Sequence, residues 1–246
     1  MSEVTKEELE LINKHTRREL KADEVYTFPL VLCTNQVDRD FERFDDSALD
    51  ELAVLCIGKT VIRDHIWSAD NQTARIYRTQ VEDKGGGVKH LTAFAYLPVA
   101  DSTKDFIAQL DAGIKKEVSI GCAAQQAVCS ICGKARQDCI HVAGRMYSGE
   151  MCVYTLKGIT DAYEVSFVAV PAQPDAGVIK SFNVRKSYVE GEEETYIAPS
   201  ADSAPELKNK QGKTGSGSAG TALDEKLLEA EIKNIERKMN YEYQMQ

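Results

Sequence analysis

The sequence predicts an α+β fold, mostly β with peripheral helices, and three features carry that expectation. β-branched and aromatic stretches of strand length recur between residues 25 and 170. Two of them are joined by Asp83-Lys84-Gly85-Gly86-Gly87, whose glycines supply the positive φ that a tight hairpin needs. The helical patterns are short and lie outside or between the strands.

Taken in order, Thr5 and Glu8 make a capping box, and Leu9, Ile12 and Leu20 follow at roughly helical spacing. They predict a charged helix over residues 6–20, a peripheral arm. Residues 25–34, VYTFPLVLCT, read as a strand in which Pro29 marks an edge or a bulge. Residues 46–56 place Leu49, Leu52 and Leu55 near one helical face. Val61 and Ile62 begin a short strand that ends at His65, and residues 74–82 and 88–97 flank the glycine turn. A helix is expected over residues 101–112, capped by Ser102 and stopped by Gly113, with Phe106, Ile107 and Leu110 inward. Val118 and Ile120 then alternate with Ser119, so a strand there presents its hydroxyl on the face opposite the two apolar side chains. Gly121 leaves room beside that hydroxyl for another backbone. Residues 151–156 and 164–170 complete the strands.

Beyond about residue 187 the composition shifts to an acidic run, Glu190-Gly191-Glu192-Glu193-Glu194, and then to QGKTGSGSAG at 211–220, a flexible linker by composition. A second capping box at Thr221 precedes a narrow apolar stripe of Leu228, Ile232, Ile235 and Met239, suited to a coiled coil or docking helix. The expected organisation is an N-terminal helical arm (1–23), a β domain (24–187) with an insert at 126–150, a linker (188–220) and an amphipathic C-terminal helix (221–246).

Hydrophobic residues make up 43% of the chain and charged residues 28%, the balance of a soluble globular protein. No apolar run is long enough to span a membrane, and the acidic start lacks signal-peptide character, so a cytoplasmic protein is expected. The net charge of −9 argues against nucleic acid as a partner. Seven cysteines without an export signal read as free thiols or metal ligands rather than disulfides.

Cys129-Ser130-Ile131-Cys132-Gly133 is a zinc knuckle, and Cys139 and His141 follow closely. Thiolate and imidazole at C-x2-C and C-x-H spacing can close a tetrahedral Cys3His zinc site. With all four positions taken by protein, that zinc would be structural. Cys122 and Cys152 bracket the insert and are possible substitute ligands, whereas Cys33 and Cys56 read as core thiols. Among the histidines, His15 lies in the arm, His90 beside the glycine turn and His141 in the knuckle. His65 alone ends an apolar strand inside the domain.

Four motifs in one order resemble the prohead proteases of tailed bacteriophages, serine peptidases related to herpesvirus assemblin. They are Val37-Asp38-Arg39-Asp40, Asp64-His65, Glu117-Val118-Ser119-Ile120-Gly121, and Glu164-Val165-Ser166-Phe167-Val168-Ala169-Val170-Pro171-Ala172. The resemblance covers about residues 25–180. It implies a small closed, herpesvirus-protease-like β barrel surrounded by helices, with Ser119 as nucleophile and His65 as general base. Glu164 would orient the imidazole, with Asp161 the alternative, and Ser166 would only hydrogen-bond nearby. It further implies cleavage of the scaffold segment of the major capsid protein, and of the protease itself, inside the procapsid in the host cytoplasm. Scaffolding protein would be a partner, and the C-terminal helix would serve docking or self-association, with autocleavage between residues 188 and 220. Two rival readings are a metal-dependent hydrolase using the Cys/His cluster and a catalytically silent procapsid scaffold on the same barrel.

Overall fold

The computed structural model describes residues 4–180. The expected linker, the C-terminal helix, the autocleavage segment and the last residues of the β domain lie outside the described residues. Helix α1 (Lys6–Asn13) is followed by β1 (Val25–Thr34), β2 (Glu42–Phe44), α2 (Asp46–Leu55), β3 (Thr60–Arg63), β4 (Ala74–Asp83) and β5 (Lys89–Pro98). Then come α3 (Lys104–Asp111), β6 (Val118–Cys129), β7 (Met146–Tyr147), β8 (Glu150–Met151), β9 (Tyr154–Phe167) and β10 (Gly177–Val178).

Among the described residues the protein is mostly strand with few helices, as expected. One sheet runs β10-β1-β5-β4-β3-β9-β2, with β6 also paired to β9. Its ladders do not close into a barrel. The nearest approach to closure is a single bridge between Glu117 and Gly177, beside a bond from the Val178 N–H to the Lys116 carbonyl at 2.7 Å. Gly177 makes that approach possible, since a Cβ there would lie 2.9 Å from the Lys116 carbonyl oxygen.

The core lies against the sheet, where Leu30, Leu32, Ile76, Leu91, Val118 and Val165 are fully or almost fully buried. Helix α2 adds Ala48, Leu49 and Leu52 to it, and Phe106 of α3 meets Phe167 edge-on at 5.3 Å. Burial of such side chains, each worth about 1.5–3 kcal/mol, holds the strands that position the site.

Several boundaries differ from the expectations. Helix α1 stops at Asn13 because the Asn13 side chain turns to the backbone of Leu20, accepting its N–H at 2.8 Å and donating to its carbonyl at 3.2 Å. The arm is also firmly seated: Ile12 is fully buried in a second cluster with Val25, Tyr77 and Tyr96. Pro29 is not at a free edge, since β1 pairs with both β5 and β10; the bulge falls just beyond it, between Val31 and Cys33. Before α3 a single 3-10 turn, Asp101–Thr103, intervenes, and the Thr103 hydroxyl rather than Ser102 receives a backbone N–H, that of Ala100 at 3.0 Å. The two strands expected at 151–156 and 164–170 are one long strand, β9, which ends at Phe167. No helix among the described residues is long and apolar enough to cross a membrane.

Candidate active site and metal centre

Strand β9 organises the site, with β3 parallel on one side and β6 antiparallel on the other. The β6–β9 register sets Ser119 opposite Ser166 and Gly121 opposite Glu164, so these four positions share one face of the ladder. Val118 is fully buried in the core on the other face. The period-2 reading of Val118-Ser119-Ile120 is therefore the observed arrangement. Gly121 serves a purpose different from the one expected: a side chain, not a backbone, fills the space beside it. A Cβ at Gly121 would lie 2.5 Å from Glu164 Oε1, far inside van der Waals contact.

His65 follows β3 by two residues. Asp64 and His65 both adopt left-handed backbone angles, with φ of 55° and 53°. Consecutive left-handed non-glycine residues cost on the order of 1–3 kcal/mol each and persist only where the surroundings hold them. Three bonds to β9 do so here. The Asp64 N–H donates to the Phe167 carbonyl at 2.9 Å, and the His65 N–H to Ser166 Oγ at 2.7 Å. His65 Nδ1 lies 2.8 Å from Glu164 Oε1. With Glu164 as the acceptor of this bond, Nδ1 carries the proton and Nε2 keeps its lone pair as a base. The bond to Glu164, aided by its charge, raises the His65 pKa above 6.5 against the opposing effect of burial. Glu164 is itself buried, and its second oxygen, Oε2, has no hydrogen-bond partner among the described residues.

His65 and Ser119 line one cavity of about 340 Å³. Asp38, Glu42 and Gln173 also border it, and Gln173 is fixed there by its bonds to the Thr34 backbone. Asp161 does not join the site. It pairs with Lys59 at 3.0 Å, so the carboxylate on the imidazole is that of Glu164. Ser166 hydrogen-bonds nearby, as expected, and its partner is the backbone N–H of His65.

Three features of this region were not legible in the sequence. The left-handed pair had no signal beyond the tolerance of Asp and His for that conformation. Asp38, in the Val37-Asp38-Arg39-Asp40 motif, accepts the N–H groups of Asp40 and Glu42 at the cavity rim. A bulge in β9 at Tyr163 turns that side chain outward, where it lies 5.5 Å from Trp67; both rings are exposed.

At the other end of the same ladder, where Cys129 pairs with Tyr154, lies the sulfur cluster. The donor atoms of Cys129, Cys132, Cys139 and His141 all lie within 4.8 Å of one another, a set able to bind a metal such as zinc. Zinc–ligand bonds of about 2.0–2.3 Å at tetrahedral angles place donor atoms roughly 3.5–3.8 Å apart. The observed separations fit: 3.4 Å for Cys132–Cys139, 3.4 Å for Cys139–His141 and 3.7 Å for Cys129–His141. Burial pushes the Cys129 thiol up, but the N–H groups of Cys132 and Ile131 and the neighbouring sulfurs outweigh it and bring the pKa to about 7. That favours the thiolate a metal requires.

Loops rather than core carry this module. A two-residue hairpin, β7–β8, turns through Ser148 and Gly149, both at positive φ. Arg136 joins the module to the rest of the domain through an ion pair with Glu42, at the cavity rim, and stacks over Tyr154 at 4.3 Å. Phe41 packs on Gly144, where no Cβ would fit.

Comparison with protein-family models, with curated proteins and with solved structures finds no match to this chain.

Proposed function

We propose that the chain is a serine endopeptidase of the prohead-protease type, cutting the scaffold segment of a capsid protein, and itself, during capsid maturation. One observation carries this reading: His65, its Nδ1 bonded to the buried carboxylate of Glu164, lines one cavity with the strand-borne Ser119.

In the proposed reaction His65 Nε2 takes the Ser119 proton as Oγ attacks the scissile carbonyl, giving a tetrahedral intermediate. Glu164 stabilises the imidazolium that forms. His65 then returns the proton to the leaving amine as the C–N bond breaks. Water, deprotonated in turn by His65, hydrolyses the acyl-enzyme and restores Ser119. Such a base works best with a pKa near the working pH, and the upward pull of Glu164 acts in that direction.

The metal in this reading is a structural zinc on Cys129, Cys132, Cys139 and His141, which leaves no open position for chemistry. The partners proposed are the major capsid protein and scaffolding protein within the procapsid, in the cytoplasm of a bacterial host. The C-terminal apolar stripe at Leu228, Ile232, Ile235 and Met239 would be the recruiting element.

The test is to incubate the full chain with a capsid precursor that retains its scaffold segment, and to map new termini by mass spectrometry. New termini are expected with the wild type and none with Ser119→Ala. Undiminished cleavage by Ser119→Ala would overturn the proposal.

A further inference from the structure

The metal module contains one more thiol than a closed tetrahedral site needs. Cys152 Sγ lies 3.7 Å from Cys129 Sγ, the same separation as between Cys129 Sγ and His141 Nδ1. Both match a tetrahedral ligand–ligand edge. Cys152 is fully buried, in a small cluster with Cys129 and Tyr154. Its backbone is clamped from both sides. The Cys152 N–H donates to the Arg145 carbonyl at 2.8 Å, and its carbonyl accepts the Gly144 N–H at 2.9 Å. The next residue, Val153, exchanges bonds with the first knuckle: its N–H reaches Ser130 Oγ at 3.0 Å, and its carbonyl accepts the Ser130 N–H at 2.9 Å. Cys122, the other thiol flanking the insert, instead packs on the main core and lines the cavity.

We infer that Cys152 is a reserve metal ligand, a fifth donor that completes the tetrahedron when His141 is not on the ion. Exchanging the imidazole for this thiol changes the donor set from three sulfurs and one nitrogen to four sulfurs, which a borderline-soft ion such as zinc accepts readily. The exchange also alters what the ion fastens. With Cys152 bound, the metal joins the last residue of β6 directly to the residue two before β9, and so closes the insert at its base.

Cobalt(II), a spectroscopic substitute for zinc, tests this on the full chain and needs no enzymatic assay. Three variants are compared with wild type: His141→Ala, Cys152→Ser and the double variant. His141→Ala should keep about one equivalent of cobalt, with the thiolate-to-metal charge-transfer band stronger by roughly a third, the ratio of four thiolates to three. Cys152→Ser should keep the metal with the three-thiolate intensity, which also shows that the module still folds. The double variant should bind at least tenfold more weakly than either single one. The inference is overturned if His141→Ala binds as weakly as the double variant, or if its band stays at three-thiolate strength. Loss of metal in Cys152→Ser alone also overturns it, since Cys152 would then be an obligatory ligand rather than a reserve.

Discussion

The two ends of the β6–β9 ladder carry different chemistries and are stabilised by different means. At the Ser119 end, functional groups rest on a wall of hydrocarbon: Val118, Val165 and Phe167 are buried beneath them, and Glu164 is buried with them. At the Cys129 end, about ten residues and roughly 30 Å of strand away, there are loops, short turns and a small cluster of Cys129, Cys152 and Tyr154. The first site is pre-formed by packing and can afford two left-handed residues. The second rests on a smaller apolar cluster and brings together four donors able to bind an ion. Arg136–Glu42 and Phe41–Gly144 are the contacts through which the second end reaches the rim of the cavity.

If this division is right, substitutions at one end should leave the other intact. The largest effect is expected from Ser119→Ala, a loss in kcat on the order of a millionfold. Thermal stability and metal content should stay unchanged, as read by calorimetry and elemental analysis.

Glu164→Gln should follow, at about ten-thousandfold, because an amide cannot hold the imidazolium and can favour the wrong tautomer. It should also move the acid limb of the pH–rate profile down, since the bond that raises the His65 pKa is weakened. Asp161→Asn, which loses only the half-exposed pair with Lys59, should stay near wild type. A larger loss for Asp161→Asn would reverse the two roles.

Gly121→Ala places a methyl group 2.5 Å from Glu164 Oε1 and should displace that carboxylate. About 1–3 kcal/mol of stability should go with it, visible as a lower denaturant midpoint with metal still bound.

Chelation should act only at the far end. Cys129, Cys132, Cys139 and Cys152 are expected to become reactive to a maleimide, while Cys33 and Cys56 stay protected. Both of the latter are fully buried, and burial pushes the Cys56 thiol up to about 12. Labelling of Cys33 or Cys56 at the same rate as the cluster would mean that the metal supports the whole domain.

The smallest effect concerns pH. Because folding raises the His65 pKa above 6.5, its charged form contributes stability that is full below about 6.5 and is lost as pH rises through the folded value. Activity should move oppositely, rising over the same interval as the imidazole becomes free to accept a proton. A parallel rise of stability and activity in chemical denaturation and rate measurements would contradict the His65–Glu164 pairing.

Much of this contrast was legible in the residues, and for local reasons. The alternation around Ser119, the Gly85-Gly86-Gly87 turn and the C-x2-C spacing each encode their geometry within a few positions. What was not legible depends on pairing between distant segments. Asp161 and Glu164 look alike in sequence, and only the register that sets Glu164 opposite Gly121, with Lys59 taking Asp161, separates them. The break expected between residues 156 and 164 is absent, although Gly158 and the polar Lys157, Thr160 and Asp161 fall in that span. Pairing with β6 overrides those local preferences and carries β9 through. The barrel expected from the resemblance requires closure between β6 and β10, and there the ladder is reduced to one bridge at Glu117.

The central claim is that Ser119 is a nucleophile activated by His65, and an organofluorophosphonate tests it without knowledge of the substrate. Phosphonylation of a serine Oγ releases fluoride and adds a fixed mass that peptide mapping can locate. The account predicts a single adduct on Ser119 in the wild type and almost none in His65→Ala. An adduct elsewhere, or equal labelling of Ser119 in His65→Ala, would contradict it.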